Sequence, residues 1–143
     1  MIERYTPDFL RERLYNILAA SEAILVYFFG SQFKGQTGSM SDIDLAVLWQ
    51  DNEQEPMMKS LALQEIIKDK LNDERIEIGP LNGQSLSFCY IVINSGICIF
   101  GEEERRVEYE THILNEYFDF SFLAEKYNLV FEERILGERK HGQ

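Results

Sequence analysis

Between residues 24 and 29 the chain has little choice of conformation. Ile24-Leu25-Val26-Tyr27-Phe28-Phe29 is an unbroken apolar run rich in β-branched and aromatic residues. Such a run reads as a central strand buried on both faces. A strand of that kind needs covering layers above and below. It stops abruptly at Gly30-Ser31. Residues 32–41, QFKGQTGSMS, are polar and twice interrupted by glycine, so they read as a loop. Residues 42–49, DIDLAVLW, return to strand.

The rest of the sequence supplies the covering layers. Thr6-Pro7 is a helix start, with a capping hydroxyl, proline in the first turn and Asp8 favouring the dipole. Leu10, Leu14, Ile17 and Leu18 then mark one buried helical face to about Ala20. Met57 to Leu71 repeats helical spacing at Leu63, Ile66, Ile67 and Leu71. Arg75 to Ile78 reads as a short alternating strand broken by Pro80 and Asn82-Gly83. Residues 86–95 are apolar nearly all round and fit a helix or a strand. Ile97 to Phe100 is β-like. Glu102, Glu103 and Glu104 suit the N-terminus of a helix continuing toward Tyr127. The expectation is an α/β (α+β) fold, a small mixed sheet with flanking helices.

With 143 residues, the chain is expected to form a single domain over 1–143, with about 128–143 a partly flexible C-terminal tail. The formal charge of −11 argues against direct nucleic-acid binding, since phosphate backbones would be repelled. It suits a basic partner or a site that gathers cations. No apolar run approaches a membrane span, and the opening MIERYTPDFLRERL is charged and amphipathic rather than signal-like. The expected location is cytoplasmic. Cys89, Cys98, His112 and His141 lack zinc-type spacing, so the thiols read as small apolar residues.

Phe29-Gly30-Ser31 and Asp42-Ile43-Asp44-Leu45 carry the chemistry. Side chains two apart on a strand share a face, with Cα atoms about 6.6 Å apart. Asp42 and Asp44 at that spacing suit a pair of divalent ions, which lie about 3.5–4 Å apart in two-metal sites. Magnesium fits, because it takes hard oxygen ligands together with substrate phosphates. Gly30 lets the backbone approach a ligand, while the Ser31 hydroxyl, exposed N–H groups and Lys34 can meet phosphate oxygens. Glu77, between Ile76 and Ile78, projects opposite to both and is the candidate third acid. An Asp-x-Asp pair alone is common on exposed strands, and Gly-Ser alone is a common turn. Joined across one loop between two strands, they point to phosphoryl or nucleotidyl transfer.

These residues resemble the polymerase-beta-like nucleotidyltransferase superfamily, whose signature is G-S, a gap, D-x-D and a later acid. The order is similar to that of the minimal nucleotidyltransferases, the MntA-type antitoxins of HEPN/MNT toxin–antitoxin pairs. Ser41-Asp42-Ile43-Asp44-Leu45, Leu81-Asn82 and Tyr117-Phe118-Asp119 extend the likeness. Glu77 departs from it, standing where the family usually has aspartate. The resemblance implies ATP as substrate, two Mg2+ ions, and transfer of AMP to a tyrosine of a HEPN ribonuclease toxin in a hetero-oligomer. It implies catalytic and metal roles for Asp42, Asp44 and Glu77, and nucleotide binding by Gly30, Ser31, Lys34, Asp42 and Asp44. A non-catalytic antitoxin and a small-molecule, antibiotic-type nucleotidyltransferase are the alternatives.

Overall fold

The computed structural model describes residues 5–30 and 43–141. The chain alternates as expected: α1 (Pro7–Ala20), β1 (Leu25–Phe29), β2 (Ile43–Leu48), α2 (Pro56–Leu71), β3 (Ile76–Pro80), α3 (Leu86–Ser95), β4 (Ile97–Phe100) and α4 (Glu103–His141). Thr6 caps α1 as its sequence implies, its hydroxyl accepting from the Phe9 N–H at 3.0 Å. Asn72 ends α2 in a left-handed conformation. Residues 86–95, open between two readings in the sequence, are helical and capped by the Ser85 hydroxyl.

The sheet runs β3-β2-β1-β4. β1 is antiparallel to β2 and β4, and β2 is parallel to β3. β1 is therefore central, as its apolar run requires. Alternation sorts the side chains into two layers. Val26, Phe28, Ile43, Leu45, Val47, Ile76 and Ile78 pack with Leu10, Leu14 and Leu18 of α1 and Leu63 and Ile67 of α2. On the other face, Leu25, Tyr27 and Ala46 pack with Cys89 and Val92 of α3 and Ile113 of α4.

Three details depart from the sequence reading. β3 continues through Pro80 instead of stopping before it. It is an edge strand, where proline's missing donor costs no ladder bond on the open side. Ile66 faces solvent while Leu63 and Ile67 are buried, so the apolar stripe of α2 is narrower than its composition suggests. Finally, α4 continues to His141, well past Tyr127.

Side chains finish what the backbone leaves open. Asn82 accepts from the Trp49 N–H at 2.8 Å and donates to the Trp49 carbonyl at 3.0 Å, fastening the loop after β3 to the end of β2. The Trp49 indole donates to the buried Ser60 hydroxyl at 2.9 Å, tying β2 to α2. Gln64 of α2 accepts from the Ile78 N–H at 2.8 Å, and Arg11 of α1 donates to the Cys98 carbonyl at 3.0 Å. Among the described residues, no helix is long and apolar enough to cross a membrane.

Candidate active site

β1 ends at Gly30, whose φ of +91° is a conformation that side-chain-bearing residues rarely adopt. A Cβ placed on Gly30 would stand 2.5 Å from the Asp44 Oδ2 atom. Glycine is thus needed twice, for the turn and for the carboxylate that comes down onto the backbone. The motif G-S followed by D-x-D reads in space as a glycine corner roofed by the second aspartate.

The strand register sets the next contact. Asp44 of β2 lies opposite Phe29 of β1 on one side and opposite Glu77 of β3 on the other. Directly opposed residues share a face, and neighbouring strands are about 4.8 Å apart. Asp44 and Glu77 are therefore adjacent acids on the face that carries α3 and α4. Asp44 is half-buried and Glu77 exposed, so one carboxylate is seated in the fold and the other reaches into solvent. Asp42, Ser31 and Lys34 lie outside the described residues. Among the described residues, no three acids, histidines or cysteines gather as a metal-ligand set.

The helices explain why this corner stays open. Successive rows across the face are Leu25 with Leu48, then Tyr27 with Ala46 and Gly79, then Phe29 with Asp44 and Glu77. α3 and α4 pack on the first two rows. Phe29 borders the third, with Phe88 of α3 set edge-on against it at 5.9 Å between ring centroids. Gly96 allows this approach. A Cβ there would meet the Phe29 Cβ at 2.8 Å and the Phe28 carbonyl at 2.9 Å. The contact of Gly96 with β1 becomes visible only once α3 and β1 are known to touch.

Polar contacts hold the surrounding elements. The Tyr27 hydroxyl donates to Glu110 of α4 at 2.6 Å, and Arg106 pairs with the other Glu110 oxygen at 3.2 Å. Burial, then that bond, pushes the Tyr27 phenol well above its ordinary value. At the entry to β3, Arg75 pairs with Asp73 at 2.7 Å and holds that carboxyl at about 2. Tyr5 donates to Asp73 at 2.8 Å and is itself pushed up to about 12, chiefly by burial. Burial also raises both thiols, Cys89 and Cys98, which is the opposite of what a nucleophilic cysteine needs.

Tyr117, singled out in the sequence, stacks on Tyr90 with centroids 3.8 Å apart and planes 1° from parallel. Its place is the α3–α4 junction. Leu81-Asn82, also singled out, proves structural: Leu81 is buried and Asn82 bonds the Trp49 backbone.

Solved structures share this architecture. A toxin–antitoxin crystal structure with AMP-PNP matches at 21% identity and a TM-score of 0.67, over 85% of this chain and 96% of that chain. A tri-AMPylated Shewanella oneidensis HEPN toxin in complex with MNT antitoxin matches at 19% identity and 0.63, over 89% and 98%. A minimal nucleotidyltransferase matches at 22% identity and 0.54, over 67% and 98%. At these identities the likeness is one of fold. No curated protein matches the chain. The family model described as polymerase beta, nucleotidyltransferase, matches residues 12–105, which take in Gly30, the Asp42–Asp44 pair and Glu77. On that match, made over the segment that builds the glycine corner and its acids, the chain belongs to the polymerase-beta nucleotidyltransferase family.

Proposed function

We propose that this protein is an adenylyltransferase antitoxin, which transfers AMP from ATP to a tyrosine of a cognate HEPN-family ribonuclease toxin and thereby silences it. The observation that carries the reading is the Gly30 corner, with the Asp44 carboxylate directly over it and Glu77 opposite Asp44 in register. The neighbours crystallised as toxin–antitoxin pairs, one with a nucleotide analogue and one with a tri-AMPylated toxin, support it.

The donor set fits magnesium, since adjacent carboxylates on one face offer the hard oxygens that this ion prefers. Asp42, Asp44 and Glu77 would hold it. When bound, Mg2+ neutralises charge on the triphosphate and lowers the pKa of a coordinated hydroxyl. The chain's own groups do the rest. Gly30 leaves room for the triphosphate to approach the backbone, and Ser31 and Lys34 donate to its β- and γ-phosphates. The tyrosine oxygen of the toxin attacks the α-phosphorus in line. The bond to the bridging oxygen breaks, and pyrophosphate leaves. Glu77, exposed and adjacent to Asp44, either completes the ligand set of the ion that activates the acceptor hydroxyl or receives the phenolic proton itself. A face left uncovered by α3 and α4 suits an acceptor carried on another protein.

The test is to incubate the chain with its partner toxin, ATP and magnesium and to follow intact mass. A gain of one or more AMP units on the toxin, lost with Asp44→Ala, is expected. Full protection of cells by Asp42→Ala/Asp44→Ala would assign neutralisation to binding alone. AMP transfer to a small molecule but not to the toxin would assign an antibiotic-type activity.

A further inference from the structure

At the end of the sheet away from Gly30, the face that carries Asp44 opens into a groove of about 730 Å³. Its floor is apolar. Leu48, Leu86 and Tyr109 are only partly buried there, above Leu81, Cys89 and Ile113. One wall is α4, where Glu108, His112 and Glu116 stand four residues apart and so share one helical stripe. The turn after β2 supplies a second wall, with Asp51 and Glu53.

The negative charge is local to this groove. Its four acids meet one cation on the lining, Arg105, with His112 neutral. Lys59 stands 3.0 Å from Glu53, but Glu22 shares it at 2.7 Å. Asp51 and Glu108 are exposed and have no ion-pair partner among the described residues. The hollow over β4, of about 650 Å³, is built differently: it sets Arg11, Arg105 and Arg106 against Glu102 and Glu103. The groove is therefore acidic by placement, beyond what a chain of charge −11 would show everywhere.

The distribution of the acids selects the occupant. No three acids, histidines or cysteines among the described residues gather closely enough to hold a metal ion. They are spread along two walls, so the groove suits an extended cationic ligand instead of a point charge. Nucleic acid would be repelled. Lysine and arginine match both features, since their apolar stems lie on apolar surface while their heads keep to charge and water. Position selects further. Leu48 is four residues from Asp44 on one strand and one face, a distance of about 13 Å. A ligand that fills the groove and also reaches the glycine corner has the dimensions of a protein.

We infer that this groove is a docking site for the protein substrate, taking a lysine- or arginine-bearing segment of the toxin while the acceptor tyrosine enters the corner beside Asp44, an inference that rests on the proposed transfer to a protein. The cationic heads meet Asp51 and Glu108, and the stems lie over Leu48, Leu86 and Tyr109.

Binding of the full chain to the partner toxin, measured by calorimetry without ATP, tests this. Asp51→Lys/Glu108→Lys should weaken binding at least about tenfold, and raising salt from about 50 to 500 mM should narrow the gap from the parent. Glu12→Lys/Asp69→Lys makes the same change of net charge at exposed positions on α1 and α2, across the sheet, and should leave binding within about threefold. In the transfer assay the groove variant should raise the KM for toxin and keep kcat. If the paired lysines unfold the chain, Asp51→Asn/Glu108→Gln replaces them, with a loss of about threefold or more expected. A groove variant that binds like the parent overturns the inference. So does an equal loss in the α1–α2 variant, which would assign the effect to net charge, and so does a parent chain that does not bind the toxin. A parent that binds through the groove but transfers no AMP sinks the transfer reading and leaves the docking site standing.

Discussion

The two faces of the sheet are built from the same strands and behave differently. One face presents Ile43, Leu45 and Val47 of β2 to α1 and α2, and every one of them is buried. The other presents Asp44, Ala46 and Leu48 to the side of α3 and α4, and the cover stops short of Asp44. The first face spends all its surface on stability. The second is a core for two rows and, on the proposed function, a site for the third. A period of two in the backbone is enough to divide these tasks within a few residues. Substitutions one position apart on β2 should therefore fail in different assays.

The sharpest contrast lies at neighbouring positions. On the proposed function, Asp44→Ala should lower AMP transfer by at least about 10²–10³-fold in a labelled-ATP assay, because a carboxylate that would hold Mg2+ beside the triphosphate is lost. Its unfolding temperature should fall by less than that of Leu45→Ala. Leu45→Ala should do the reverse, costing about 2–5 kcal/mol in denaturant melts. If both variants lost stability equally, the division between the faces would be wrong.

Gly30→Ala sits at the junction and should fail in both assays. The positive φ alone costs roughly 1–3 kcal/mol, and the new Cβ would force the Asp44 carboxylate aside. Denaturant melts and the transfer assay on one preparation would separate the two losses.

Acid should act next, through Asp73. Its carboxyl is held at about 2 by Arg75, against an ordinary 3.8. A depressed folded-state value stabilises above the unfolded value, and the contribution disappears as pH falls through about 2. The loss is about 2 kcal/mol, and Asp73→Asn should remove most of the acid dependence between pH 4 and about 2. The smallest effect belongs to Tyr27→Phe. Glu110 keeps Arg106, so the loss should be about 1 kcal/mol.

Much of this was legible in the sequence because its signals are local. The apolar run ending at Gly30, the Thr6-Pro7 cap and the spacing of α1 each depend on residues within a few positions of one another. The pairing of Asp44 with Glu77 was also foreseeable, since alternation fixed which way each points and needed only that β3 lie beside β2. The helical character of 86–95 was ambiguous because a segment apolar on all sides carries no period. Gly96 against Phe29, Gln64 on Ile78 and Asn82 on Trp49 were invisible, because each joins residues that only the packed fold brings together. The length of α4 was missed for another reason. Past Ile113, none of its described side chains is buried, so nothing in the core signalled where it should end.

The bonds from Gln64 to β3 and from Arg11 to β4 have a consequence for colloidal behaviour. A four-stranded sheet has two flanks, and an unsatisfied amide or carbonyl there is a template for strand recruitment from other molecules. Here a helix on the fully closed face reaches over and occupies one such group on each flank, and Pro80 withholds another donor at the end of β3. The molecule can thus expose the aromatic side chains of α4 between Phe118 and Tyr127 while leaving each sheet edge with fewer free groups for another strand to use.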